Sequence, residues 1–186
     1  MKPSQIFTWM AAGLSLTPGV HAVLGTSCLS AASSLHKVPG RFLEKSHEYA
    51  CQAGCQPKPA HWRKYGKEFI SGLVEDGASF CQIDSPEGKD ALIQYLDAKY
   101  TEVLGKCEPK LSNSHVCDES EESNEFQKCI SSSGRQVPSG GMVRLLPHIS
   151  EERCKKVDEY LNSEKLWEEH FPARGKTYIE HCHQEL

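Results

Sequence analysis

Apolar residues recur at helical spacing along most of the chain, and this pattern predicts a mainly helical protein. The clearest element is residues 86–104, where one face of the predicted helix carries Leu92, Tyr95, Leu96 and Val103. Asp84 lies where a helix cap is expected, and Gly105 lies where a helix commonly ends. We therefore expect this helix to be a central part of the scaffold.

Other segments complete the predicted architecture. Helices are predicted over residues 41–55, 61–74, 147–161 and 163–170. Ser150 is expected to cap the third of these, and Phe171-Pro172 is expected to end the fourth. Two short apolar runs, residues 79–83 and 141–146, have the length and composition of β-strands. The predicted fold class is therefore α+β, dominated by helices.

The helix predicted over residues 61–74 carries a stripe of large apolar side chains. Its members are Trp62, Tyr65, Phe69, Ile70 and Leu73. Gly66 and Gly72 interrupt the stripe and lower the intrinsic stability of this helix. A stripe of this kind most often packs into a core, and we expect that here.

The first residues of the chain have the features of a secretory signal peptide. Lys2 supplies a positive start, residues 6–16 form a short apolar run, and Val20-His21-Ala22 offers small residues at the cleavage position. The apolar run is too short to span a bilayer. We therefore expect the protein to be exported.

The predicted domain organisation has three parts. Residues 1–22 form the signal peptide, residues 23–40 form a loose N-terminal arm, and residues 41–186 form a single cysteine-rich domain. The arm is rich in Ser and Ala and has no amphipathic period.

Nine cysteines in an exported chain predict a disulfide framework. Because nine is an odd number, at least one thiol is free or bonded to another molecule. The pairing of the others cannot be deduced from the sequence. The expected product is a small secreted domain stapled by disulfides.

Composition and charge exclude several kinds of partner. The chain has 21 basic and 25 acidic residues and no basic stripe that could replace the counterions of a nucleic acid. No apolar run that follows the signal peptide is long enough to cross a membrane. We expect a monomer that binds neither nucleic acid nor membrane and uses no metal and no cofactor.

A cysteine and an arginine separated by five mostly small residues form the main candidate for a catalytic site. The stretch is Cys129-Ile130-Ser131-Ser132-Ser133-Gly134-Arg135. Small residues let backbone N–H groups point at an anion, and an arginine can hold two phosphate oxygens at once. A thiol in such a positive field is activated as a nucleophile. By composition, this combined spacing of Cys, Gly and Arg is expected by chance only roughly 0.02 times.

This stretch resembles the signature of the cysteine-dependent protein tyrosine phosphatases, in which Cys129, Gly134 and Arg135 match the family pattern. The resemblance implies that Cys129 is the nucleophile and that Arg135 holds the phosphate. It implies that phosphate is also bound by Ile130, Ser131, Ser132, Ser133 and Gly134. The family uses an aspartate on a mobile loop as general acid, and Asp118 in the acidic run 118–125 is the candidate here.

The whole profile resembles the secreted cysteine-rich effectors of plant-associated filamentous fungi. This resemblance implies an exported protein that acts on a host, either outside its cells or after delivery into the host cytoplasm. Two hypotheses from different classes follow. In the first, the protein is a phosphatase that dephosphorylates a host phosphoprotein such as a signalling kinase. In the second, it is a non-catalytic, disulfide-stapled module that masks or inhibits a host protein or ligand, and Cys129 is a half-cystine.

Overall fold

The computed structural model describes residues 25–112, 114–133 and 144–182. Within these ranges the chain forms six α-helices with short connecting segments and no β-strand. The predicted dominance of helices is confirmed. The predicted α+β class is not supported, because the described part of the chain contains no sheet.

The bounds of the helices show how the chain is arranged. They are α1 (Thr26–Ser46), α2 (Pro59–Ala78), α3 (Pro86–Cys107), α4 (Glu121–Ser133), α5 (Glu151–Leu161) and α6 (Phe171–Cys182). Two π-helical segments, His47–Cys51 and Lys165–His170, follow α1 and lead into α6. Helix α1 packs along α5, and α2 packs along α3. None of the helices described is both long and apolar enough to span a membrane.

Local sequence signals account for the starts of two helices. The side chain of Ser85, and not that of Asp84, caps α3 by accepting the Gly88 N–H at 3.0 Å. The predicted cap of α5 is confirmed, since the Ser150 hydroxyl accepts the Arg153 N–H at 3.3 Å. A cap of this kind contributes about 1 kcal/mol to a helix.

The segment predicted as a loose arm, residues 23–40, lies mostly in α1. Two of its serines contact a carboxylate of α5: Ser30 and Ser34 donate to Asp158 at 2.7 and 2.5 Å. These contacts hold the pKa of Asp158 below its ordinary value. Packing against α5 thus stabilises a helix that contains Pro39, although proline normally interrupts one.

Neither segment predicted as a strand is extended where it is described. Within residues 79–83 the chain turns, with the Ile83 N–H donating to the Ala78 carbonyl at 2.9 Å and Gln82 at a φ of 56°. In the second segment, residues 144–146 are helical, and residues 141–143 lie outside the described ranges.

The end predicted at Phe171-Pro172 is also wrong, because these residues begin α6. Proline is accepted in the first turn of a helix, where its missing N–H is not needed. The chain therefore continues as a helix to Cys182.

The predicted disulfide framework is confirmed. The bonds are Cys28–Cys154, Cys51–Cys117, Cys55–Cys182 and Cys107–Cys129. Cys81 is the remaining free cysteine, and its burial raises the pKa of the thiol to about 12. Two of the bonds join residues 126 and 127 positions apart, so they tie the first half of the fold to its last helices.

Three groups of buried apolar side chains form the core. The first surrounds Phe126 between α3 and α4, and the second surrounds Trp167 and Phe171 beside α5 and α6. The third surrounds the disulfide between Cys55 and Cys182. Side chains from all three groups line one internal space, which is described below.

Candidate functional site

The structure places Cys129 in α4 rather than in a loop, and its sulfur is bonded to Cys107. The Ser133 hydroxyl lies 3.7 Å from the sulfur of Cys107 and 4.0 Å from that of Cys129, so the end of α4 packs around this disulfide. A bonded sulfur offers no thiolate to attack phosphorus. Phosphatase chemistry at Cys129 stays a prediction, and it would first require reduction of this bond.

The residues predicted to cradle a phosphate do not form an open loop where they are described. Residues 130–133 are helical, Ile130 is buried in the core, and Ser131 faces α1. Backbone N–H groups near the end of a helix already bond to carbonyl groups of the preceding turn. They therefore cannot converge on an anion. Gly134 and Arg135 lie outside the described residues.

Asp118 lies in the turn before α4 and interacts with a histidine. Its carboxylate accepts the backbone N–H of His115 at 3.0 Å and lies 3.0 Å from Nε2 of the His115 side chain. Asp118 and Ser131 line one polar groove of about 570 Å³ between α1 and α4, and Cys129 is not part of its lining. The role of Asp118 as general acid therefore stays a prediction.

A different space has the features of a ligand site. An apolar cavity of about 200 Å³ lies where the three core groups meet. Its most prominent walls are the aromatic rings of Phe42, Trp62, Phe69, Tyr100 and Phe171. Helices α1, α2, α3 and α6 supply these rings.

The aromatic walls of the cavity support one another. The ring centroid of Phe42 lies 5.2 Å from that of Trp62 and 5.3 Å from that of Phe171. The rings of Trp62 and Tyr100 lie 4.9 Å apart. Aromatic pairs at such distances are favourable by about 0.5–1.5 kcal/mol beyond the burial of their surface. The walls are thus held by contacts within the protein, and the cavity is formed without a ligand.

Gly66 determines where Trp62 can lie. A Cβ atom at Gly66 would be 2.4 Å from Cε2 of the Trp62 ring, which is closer than real Cβ contacts. The indole therefore lies flat against bare helix backbone. This close approach explains a glycine in the middle of α2, where it lowers helix stability by about 1 kcal/mol relative to alanine.

The opening of the cavity is polar. The lining residues that are themselves exposed are Lys58, Glu68, Arg174 and Thr177. Arg174 donates from Nε to Asp76 at 2.7 Å, and this contact holds the pKa of Asp76 below its ordinary value. The opening therefore carries charges of both signs, whereas the interior is apolar.

Sequence reasoning placed Trp62 and Phe69 in a core stripe but did not identify the cavity. Gly66 was the available signal, since a glycine within an aromatic stripe indicates that a flat ring crosses the helix at that point. Among the residues that the structure describes, no group of three or more His, Cys, Asp or Glu side chains could hold a metal ion.

Comparison with known proteins gives no match to a family model, to a curated protein or to a solved structure. The fold and the site together define a class: a disulfide-stapled helical domain with an internal cavity walled by aromatic rings. Its function has to be inferred from this geometry.

Proposed function

We propose that the protein is a non-catalytic binding protein that takes a small apolar ligand into the cavity between α1, α2, α3 and α6. The observation that carries this proposal is the preformed cavity of about 200 Å³ with its aromatic walls. Ligand sites are typically concave and apolar, with few polar groups. A cavity of roughly 150 Å³ lined by apolar side chains can hold benzene, so this one suits a ligand of one or two fused rings.

The disulfides support the same proposal. Such bonds form and persist in oxidising compartments, which suits the exported, host-directed setting inferred from the sequence. Because the sulfur of Cys129 is used in one of them, the binding hypothesis needs no change in redox state, unlike the phosphatase hypothesis. In this setting the protein would sequester a small apolar molecule of the host.

Naphthalene is a suitable probe, and we expect the oxidised protein to bind it with a Kd on the order of 10–100 µM. The measurement is isothermal titration calorimetry at several temperatures, because burial of apolar surface gives a negative heat-capacity change on binding. Gly66→Ala should weaken binding by about tenfold or more, since the new methyl group forces Trp62 out of its place in the wall.

Gly105→Ala is the matched control for this variant. It makes the same change in α3, and nothing lies within 4 Å of the new Cβ atom. We expect it to bind naphthalene like the wild-type protein. The proposal fails if the folded wild-type protein binds no naphthalene, or if both variants bind it unchanged.

A further inference from the structure

One aromatic hydroxyl in the cavity wall has no hydrogen-bond partner among the residues that the structure describes. The hydroxyl of Tyr178 lies 2.9 Å from Nδ1 of His61, and the hydroxyl of Tyr49 donates to Glu168 at 3.1 Å. Across residues 25–112, 114–133 and 144–182, by contrast, no group hydrogen-bonds to the hydroxyl of Tyr100. The hydroxyl is not one of the fully buried atoms, so it is accessible to solvent or to a ligand.

Tyr100 lies in the wall of the cavity. The side chain projects from α3 against the rings of Trp62 and Phe42, at centroid distances of 4.9 and 5.6 Å. The side chain of Tyr100 is partly exposed, and it lines the cavity. A hydroxyl there can bond to a ligand without any rearrangement of the protein.

Tyr100 remains a neutral donor at this position. Burial raises the pKa of its hydroxyl above the ordinary value of a tyrosine, and desolvation is the cause. A neutral tyrosine hydroxyl has one O–H to donate, and a ligand with an acceptor atom would use it. The charged side chain of Arg174 near the opening already contacts Asp76, so this cation is already paired.

We infer that the ligand is a neutral, flat aromatic molecule that carries one hydrogen-bond acceptor, and that the Tyr100 hydroxyl donates to this acceptor. The inference rests on the proposed function and adds the ligand class to it. The volume of about 200 Å³ limits the ligand to one or two fused rings. Because the walls are apolar, the ligand can carry only those polar atoms that hydrogen-bond to Tyr100. Aromatic nitrogen heterocycles and aromatic carbonyl compounds meet these conditions.

The test compares ligands of one shape on two forms of the protein. Naphthalene, quinoline and isoquinoline have the same bicyclic outline, but the last two carry a ring nitrogen that accepts a hydrogen bond. Their affinities are measured by calorimetry on wild-type protein and on Tyr100→Phe. Each ligand is measured on both proteins, and the two changes in affinity are then compared as in a double-mutant cycle. Differences in hydration between the three ligands cancel in this comparison.

We expect Tyr100→Phe to weaken binding of quinoline or isoquinoline about 3- to 10-fold more than binding of naphthalene, the effect of one neutral hydrogen bond. The variant should fold normally, since it removes a hydroxyl that has no partner in the described chain and keeps the ring. Tyr95→Phe makes the same change on α3, at a buried residue that does not line the cavity, and should leave all three affinities unchanged.

The outcomes separate this inference from the proposed function. If none of the three ligands binds the wild-type protein, the proposed function itself fails. If naphthalene binds but Tyr100→Phe changes all three affinities by the same factor, or changes none, the cavity binds apolar ligands and the role of Tyr100 is overturned. Selective loss of the nitrogen ligands in Tyr95→Phe would also contradict it.

Discussion

Replacement of Cys55 and Cys182 by alanine is expected to lower the free energy of unfolding by about 5 kcal/mol and to abolish ligand binding. The bond joins residues 127 positions apart, and the chain entropy released on its removal increases with loop length. Ala50, Tyr178 and Ile179 pack against this disulfide and also line the cavity. The cavity should therefore lose one wall when α6 is released. Guanidinium unfolding and calorimetry with naphthalene measure the two effects.

The disulfide between Cys28 and Cys154 is a matched control. It joins residues 126 positions apart, so its removal should cost the same amount, about 5 kcal/mol. It ties α1 to α5, and neither of its cysteines belongs to the group of side chains around the Cys55–Cys182 bond that lines the cavity. We expect this double alanine variant to keep naphthalene binding at a temperature where circular dichroism shows it folded. If both double variants lose naphthalene binding, or if both keep it, the side chains around the Cys55–Cys182 bond do not form a wall of the binding cavity.

Lys99→Met is expected to raise the free energy of unfolding by about 1–3 kcal/mol. Lys99 lies on the buried face of α3 with only 3% of its surface exposed. Within the described chain its Nζ has no hydrogen-bond partner. A buried ammonium group without a partner is costly, and methionine fills a similar volume without charge. Chemical unfolding of the two proteins at neutral pH measures the gain.

The gain from Lys99→Met should depend on pH in a defined direction. Burial lowers the pKa of Lys99 in the folded protein, so the unfolded chain binds more protons between the folded pKa and the ordinary lysine pKa. Wild-type stability should therefore rise with pH across this window. The advantage of the methionine variant should be full below the window and decrease through it.

Lys89→Met provides the control for this pH dependence. Lys89 is on the same helix, but its ammonium group lies 2.7 Å from Glu75 near the surface. Its replacement removes an ion pair and should not increase stability. Equal stability of wild-type protein and Lys99→Met at every pH would show that the amine of Lys99 is not buried without a partner.

The sequence predicted those elements that depend mainly on neighbouring residues. Helices α2 and α3 follow from apolar spacing, and the cap at Ser150 follows from residue type alone. Residues 41–46 of α1 lie in a predicted helix, but residues 26–40 were predicted as a loose arm, because contacts that stabilise them come from Asp158, more than a hundred residues away. The turn at residues 79–83 resembled a strand because a short apolar run does not reveal its own periodicity.

The candidate site was harder to predict from the sequence. The spacing of Cys129, Gly134 and Arg135 does not reveal that Cys129 is helical, nor that its sulfur is bonded to Cys107. The cavity arises where three core groups meet, and an empty volume has no signature in hydrophobic periodicity. Whether the Tyr100 hydroxyl has a partner within the described chain depends on residues from several helices, which the local sequence does not show.

The most direct test of the binding proposal is a crystal structure of the oxidised protein with naphthalene. We expect electron density for one bicyclic molecule between Phe42, Trp62, Tyr100 and Phe171, with these rings close to their positions in the free protein. Density for naphthalene only beside exposed apolar side chains such as Phe80 and Leu146, with the aromatic rings collapsed into the cavity, would contradict the proposal.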